Sequence, residues 1–448
     1  MSTQANQQTE LMERAEGVQT LSLPSGIGSS DAGASSIFIT NYGDNHRYIR
    51  DEERWLFWDG AHWKADIKAQ ELLNNLEDMR HKLNALPPNY HLEKIAKNLA
   101  NHRSLIQIRK YLETRNELSL LSSDCDAHSH LCAFENGVYN TETNQFISDP
   151  QSIRSLYLTR RIHTAYDAQA SCEKWKEFLS TIFCDDEELA SFVQKAVGLS
   201  LSGVVSEEKL FFAFGSGANG KTTFFEVLNR IFGDFHREID PIILLKTKSP
   251  DQRLLLENMA NLRAIRFATS NELPNRASYN DMAVKQLSSR DPLNAKVVYQ
   301  SVCSFKPTHK LWIRSNHKPK FDVRDGGMLR RICLIPFVHK VPSSEMIERY
   351  EDILLREQKG ILNWIVEGWK LYQKEGLKQL PSIAIKCMAE YELECDNLKQ
   401  FIEETCLVDS PSEANANSVK LKDFTSAYNN WCMENKLKGS NSRSLAEE

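Results

Sequence analysis

The sequence predicts an α/β protein built on a mainly parallel sheet flanked by helices, and three observations carry that expectation. Residues 209–232, KLFFAFGSGANGKTTFFEVLNRIF, pass from a short aromatic-rich run of strand length through a glycine-bearing loop into a segment of helical spacing. Further apolar runs of strand length follow at 262–268, 309–315 and 332–335, alternating with helical stretches. Strands and helices alternating behind such a loop favour parallel pairing, with ligands gathering at the strands' C-terminal ends. The composition is ordinary, 41% hydrophobic and 26% charged, and 448 residues can hold two or three domains with real cores.

Taken in order, residues 1–36 are polar and rich in Ser, Gly, Gln and Thr, and read as a disordered tail. Residues 37–170 read as an N-terminal α+β domain. Tyr48, Ile49 and Arg50 with the run RWLFWDGAHW (54–63) suggest a β-hairpin turning at Asp59-Gly60. Helical spacing covers 68–118, broken at Leu86-Pro87-Pro88, and the stretch NGVYNTETN (136–144) suggests a second tight hairpin. The cluster DCDAHSHLC (124–132) admits two readings, a zinc or primase-type metal site and a polar loop leading into a strand. Two Cys and two His within nine residues are crowded for tetrahedral ligation, which favours the loop. Asp185, Asp186, Glu187 and Glu188 suit the first turn of a helix, where acids complement the dipole. A helical segment over 171–203 leads into the region of the glycine-bearing loop, 204–340. A helical region over 341–410 and a last segment, 411–448, follow.

The loop itself, formed by Gly215, Ser216, Gly217, Ala218, Asn219, Gly220, Lys221, Thr222 and Thr223, has the pattern G-x-x-x-x-G-K-T of a phosphate-binding loop. Its glycines let backbone N–H groups and the helix N-terminus face phosphate oxygens. Lys221 would reach the β and γ phosphates, and the Thr222 hydroxyl would bind Mg²⁺. The expected cofactors are therefore ATP and Mg²⁺. Glu272 and Asn316 fall at strand ends, where one could polarise a water or hold the Mg²⁺ shell and the other could touch the γ-phosphate. Arg330 or Arg331 could neutralise transition-state charge, for an adjacent subunit's nucleotide. Each of these residues alone also has a plain reading as a cap, turn or solvated residue.

Charge is uneven. Residues 285–340 carry twelve Lys/Arg and three acids, a net of +9, against −14 for the remainder of a chain whose total is −5. A basic face on an acidic protein suits contact with a nucleic-acid backbone. Lys296 lies in a hairpin expected at 294–299 that could reach into a channel; its plain reading is a solvated hairpin lysine. No apolar run is long enough to span a bilayer, the N-terminus lacks a signal layout, and ten scattered cysteines without C-x-x-C suit a reducing cytoplasm.

Beyond these motifs the segments NGVYNTETNQF, YLTRRI, KQLSSRDP, LWIRSNHKP and GGMLRRICLIPF, with GSGANGKT, resemble the phage and plasmid primase-helicases. Those proteins carry superfamily III helicase domains and are related to the poxvirus replicative helicase. The resemblance covers about 37–436. It implies an AAA+-type ATPase core, assembled as a ring, usually hexameric, that translocates on single-stranded or forked DNA. It assigns Lys221 and Thr222 to the first nucleotide motif, Glu272 to the second as catalytic and metal-binding, and Asn316 to the sensor. Arg330 and Arg331 match the arginine-finger segment, and residues 285–299, with Lys285, Arg290 and Lys296, the DNA hairpin. Residues 171–203 become a helical collar, and 411–448 a partial winged-helix-like segment, reduced or truncated. The second nucleotide motif departs from the pattern, having Asn271-Glu272 where an acidic doublet is usual. Thirty-six polar residues cannot hold a primase domain, which leaves room for a separate primase as partner. The expectation is an ATP-dependent DNA helicase of phage or mobile-element replication; the alternative is an origin-binding or remodelling ATPase that uses ATP as a switch.

Overall fold

The computed structural model describes residues 21–246, 251–271, 279–296, 303–319, 326–342, 344, 346–395, 397–407, 419–435, 439, 441, 442 and 445. The chain divides into two units, one ending at Ala165 and the other beginning at Tyr166, five residues before the boundary expected from sequence.

The first unit departs from expectation at its start. Residues 21–36, read as tail, include the beginning of a helix, Asp31–Tyr42, whose N-cap Ser30 accepts from the Gly33 N–H. Ala34, Ile37 and Phe38 are buried, and a Cβ on Gly33 would collide with the Gly28 carbonyl. The small residues that made this stretch look featureless are what lets it pack closely. Strands β1 His46–Ile49, β2 Arg54–Trp58 and β3 Trp63–Asp66 pair antiparallel in succession, with β4 Ser119–Leu120 parallel to β1. The Asp59-Gly60 turn joins β2 to β3: Gly60 has φ +99°, and the Asp59 carboxylate accepts from the Ala61 and His62 N–H groups at 3.1 and 3.0 Å. Helices Gln70–Asn84 and Tyr90–Leu99 break at the expected prolines, and a second break, not expected from sequence, falls at Ala100-Asn101, where Asn101 caps the helix His102–Glu113 by accepting from the Arg103 N–H. The apolar stripes of the three bury Leu76, Met79, Ile95, Leu99 and Leu112 around Phe38. A second sheet, order β7-β6-β5-β8, comprises β5 Leu131–Phe134, β6 Gly137–Asn140, β7 Gln145–Ile147 and β8 Arg161–Ile162. In the 124–132 stretch Cys125 and Cys132 are buried, Asp124 caps the Leu121 N–H at 2.7 Å, and Asp126 accepts from the Thr159 N–H at 2.8 Å. These carboxylates are local caps.

The second unit holds a five-stranded, wholly parallel sheet in the order β10-β11-β14-β9-β15. Its strands are β9 Leu210–Phe214, β10 His236–Ile239, β11 Phe267–Ser270, β14 Lys310–Ser315 and β15 Ile332–Pro336. A separate antiparallel pair joins β12 Leu293–Ala295 to β13 Cys303–Phe305, and residues 297–299 of the hairpin expected at 294–299 lie outside the described residues. Strands covered on both faces read as continuous apolar runs, as LFFAF does in β9. On one face Phe211 stacks on Trp312 with centroids 4.5 Å apart, and Phe225 and Phe232 of the helix Lys221–Phe232 cover Trp312 and Phe267. On the other face Leu210, Phe212, Ile313 and Leu334 pack with Val284 and Leu287.

The strand expected at 262–268 begins later. Residues 261–264 form a turn with Ala264 at φ +59°, and only Phe267–Ser270 pair. Leu262 and Ile265 enter the core from that turn, which is why they carried a strand-like pattern. Asp186 caps the helix Glu187–Leu199 by accepting from the Leu189 N–H, as its position among four acids suggested. That helix packs on Gln358–Glu375 so closely that a Cβ on Gly198 would overlap the backbone at Gly368 and Trp369. At the C-terminus the helices Asn397–Thr405 and Leu421–Glu434 bury Phe401, Tyr428 and Trp431 in a small cluster, and no strand follows β15 among the described residues.

Candidate functional site

The loop between β9 and the helix Lys221–Phe232 lies at the C-terminal end of the parallel sheet, where the peptide N–H groups of a helix start are unpaired. Gly220, at the helix N-cap, has φ +81°, and a Cβ there would sit 2.5 Å from Ile182 Cγ2. A Cβ on Gly215 would clash with the Phe337 carbonyl oxygen. Gly217 has open space around it. The chain leaving β15 braces the loop: the Phe337 N–H donates to Phe214 O (2.8 Å), Asn219 Nδ2 to Phe337 O (3.0 Å), and the Val341 N–H to Ala218 O (2.8 Å).

Lys221 is 7% exposed, and its ammonium donates to Gly215 O (2.6 Å), Asn219 Oδ1 (2.9 Å) and Asn316 Oδ1 (3.5 Å). Asn316 stands one residue past β14, so the structure brings residues 95 positions apart to one ammonium. Gly217, Ala218, Asn219, Gly220, Lys221, Thr222, Thr223 and Asn316 line a cavity of about 520 Å³. Opposite them stands a wall the sequence reading did not find, formed by Phe178, Ile182, Val341, Ile347 and Tyr350 with Glu177 and His339 at its polar points. Phe178 and Tyr350 meet edge to face at 5.8 Å. No local motif marks these residues, since they come from the preceding helix Glu173–Ile182 and from the segment after β15. The cavity thus has an apolar side for a flat ring and a polar side rich in N–H and hydroxyl groups. Thr222, exposed at the first helical turn, supplies an oxygen suited to Mg²⁺ there, and the carbonyl acceptors that hold Lys221 are ones that phosphate oxygens can replace.

The remaining predicted residues are distributed unevenly. Glu272 lies outside the described residues. Its neighbour Asn271 does not: its Oδ1 accepts from Arg314 Nε and its Nδ2 donates to Glu238. Arg331 is 8% exposed and held inside its own chain, Nη2 to Glu208 Oε2 at 2.7 Å and Nη1 to Gly327 O at 2.9 Å. Arg330 is exposed. Both precede β15, at the end of the sheet away from the loop, roughly 17 Å along five strand residues. Of the DNA-contact candidates, Lys285 is half-buried, Arg290 donates to Ser206 O, and Lys296 is exposed at the end of β12.

The stretch 285–340 is less of a basic face than its count implies. Lys310 is buried, donates to Ser202 O and to Val204 O (3.0 Å), and is held well below the ordinary lysine range by burial and then by Arg266. With Arg314 and Arg331 also directed inward, the cations exposed to solvent here are Arg290, Lys296, Lys306, Arg330 and Lys340 among the described residues.

Comparison with known proteins agrees with the sequence motifs. Residues 35–184 match the family model described as D5 N terminal like. Protein L207/L206 of Acanthamoeba polyphaga mimivirus, designated a helicase, is 23% identical over 380 residues, 78% of this chain and 39% of its own length. Primase D5 of fowlpox virus is 22% identical over 241 residues, 51% of this chain and 30% of its own. A solved structure, the C-terminal region of NrS-1 without ligand, aligns at 12% identity over 86% of each chain with a TM-score of 0.49. The chain is thus similar over residues 35–184 to the D5 N-terminal-like family model and, at low identity, to viral proteins whose names give helicase and primase. It spans under two fifths of the length of the curated relatives it matches.

Proposed function

We propose that the protein is an ATP-dependent DNA helicase of phage or mobile-element replication. The observation that carries the reading is the convergence of Lys221 and Asn316 on the loop that floors the 520 Å³ cavity. The strand order, with the loop strand β9 between β14 and β15, supports an AAA+-type arrangement. In this reading the loop N–H groups and Lys221 bind the phosphates of ATP, and the apolar wall takes the base. Thr222, with Glu272, would hold Mg²⁺, which supplies charge stabilisation to the transferring phosphoryl group. Asn316 orients the terminal phosphate or the attacking water. Arg330, exposed and on the far end of the sheet from its own loop, serves the site of an adjacent copy in a closed ring, usually of six. The exposed Lys296 hairpin grips single-stranded or forked DNA, and a separate primase supplies primers. Such a protein works in the cytoplasm of the host cell.

The test is strand displacement on a forked duplex. Wild-type protein should release labelled strand only with ATP and Mg²⁺, and Lys221→Ala should lose ATP turnover and displacement with an unchanged melting curve. Nucleotide-dependent DNA binding without displaced strand would instead mean a switch ATPase, and turnover by Lys221→Ala at the wild-type rate would remove the site assignment.

A further inference from the structure

Three side chains from neighbouring strands form a chain of hydrogen bonds at the C-terminal ends of the sheet. Glu238 of β10 accepts from Asn271 Nδ2, just past β11, and Asn271 Oδ1 accepts from Nε of Arg314 in β14. The arginine is thereby held by one edge of its guanidinium. On another edge, Arg314 Nη1 is buried and has no hydrogen-bond partner among the described residues. A buried N–H on a cation without an acceptor is costly, and a ligand that supplies one removes the cost.

Its position indicates which ligand. Side chains alternate along a strand, so Arg314 shares a face with Trp312, which packs on Phe225 with centroids 6.1 Å apart. That face is covered by the helix Lys221–Phe232. Two residues along β14, from Trp312 to Arg314, advance about 6.6 Å towards the loop end of the sheet. One turn back along the helix, from Phe225 to Thr222, advances about 5 Å the same way, because the helix runs antiparallel to the strands. Arg314 also lies in register with Ala213, two residues before Gly215. It therefore underlies the helical turn carrying Lys221 and Thr222, one strand from the phosphate loop.

We propose that Arg314 is a contact for the terminal phosphate of the bound nucleotide, and that Asn271, itself held by Glu238, positions it for that contact. This rests on the nucleotide reading of the loop. Nη1 takes a γ-phosphate oxygen while Nε keeps Asn271, so the guanidinium's hydrogen bonding is complete only when that oxygen is there. A diphosphate offers none at that place. Arg314 thus makes the site distinguish ATP from ADP, and Asn271, standing where an acidic residue is usual, is suited to this because an amide can accept from an arginine and donate to Glu238 at once.

The experiment compares equilibrium binding of a non-hydrolysable ATP analogue and of ADP to wild type, Arg314→Ala, Arg314→Lys and Lys221→Ala, each with a melting curve. Arg314→Ala should weaken the ATP analogue at least tenfold and leave ADP within twofold, whereas Lys221→Ala weakens both. Arg314→Lys keeps a charge without the fork and should recover part of the preference. It also supplies the measurement if the alanine variant does not fold. Equal weakening of both nucleotides by substitution at Arg314, or a wild-type ratio, overturns the proposal. Wild-type protein that binds neither nucleotide overturns the loop reading, and this with it.

Discussion

Arg330 and Arg331 are adjacent in the chain and stand in opposite surroundings, which makes their substitution informative. Arg331→Ala leaves the Glu208 carboxylate without its cation and Gly327 O without its donor. A stability loss of about 1–2 kcal/mol is expected, read as a lower urea midpoint, because Glu208 keeps partial access to water. Arg330→Ala should leave the melting curve unchanged and lower ATP turnover about a hundredfold or more if the residue completes a neighbour's site. Mixing Arg330→Ala with Lys221→Ala should then recover a fraction of the turnover, since an interface can form between the intact loop of one and the intact arginine of the other. Two inactive variants that stay inactive on mixing would rule out a shared site. Sequence alone marked both arginines and could not separate them, because burial depends on where Glu208 lies.

At the scale of the strand–loop–helix element, three glycines in one loop have different reasons to be there. Gly220→Ala must hold φ +81° and push Ile182 aside, a loss of about 2–3 kcal/mol. Gly217→Ala meets nothing within 4 Å and should cost under about 0.5 kcal/mol in stability, while intruding on the cavity it lines. Urea unfolding of the two variants together with nucleotide binding separates these roles: Gly220→Ala fails in both measurements, Gly217→Ala in binding alone. The element was legible because its pattern is local, a strand, a turn and a helix within 24 residues. The strand at 267–270 was less so, since Leu262 and Ile265 are buried from a turn and imitate its pattern.

Across the whole molecule, three histidines tie stability to pH, His46 and His309 buried and His236 half-buried. His46 in the first unit, and His236 and His309 in the second, are each pushed down to about 4, chiefly by burial. Above pH 6.5 each ring is neutral whether folded or unfolded and contributes no pH dependence. Between 6.5 and 4 the unfolded chain takes up protons that the folded one refuses, so stability falls with falling pH, by up to about 1.4 kcal/mol per pH unit for each ring. Urea midpoints taken from pH 7 to pH 4.5 should decline, and His309→Phe should flatten the decline. A profile level over that window would contradict the burial of these rings.

The sequence by itself determined what depends on neighbours in the chain: the phosphate-loop pattern, the strand and helix types around it, the Asp59-Gly60 hairpin and the helix caps. Tertiary structure alone decided what depends on residues far apart meeting. That includes the apolar wall from Phe178 to Tyr350, the approach of Asn316 to Lys221, the inward turn of Lys310, Arg314 and Arg331, and the helix that begins inside an apparent tail. The physical reason is that backbone conformation is set over a few residues, whereas burial and hydrogen-bond partners are set by packing across the sheet.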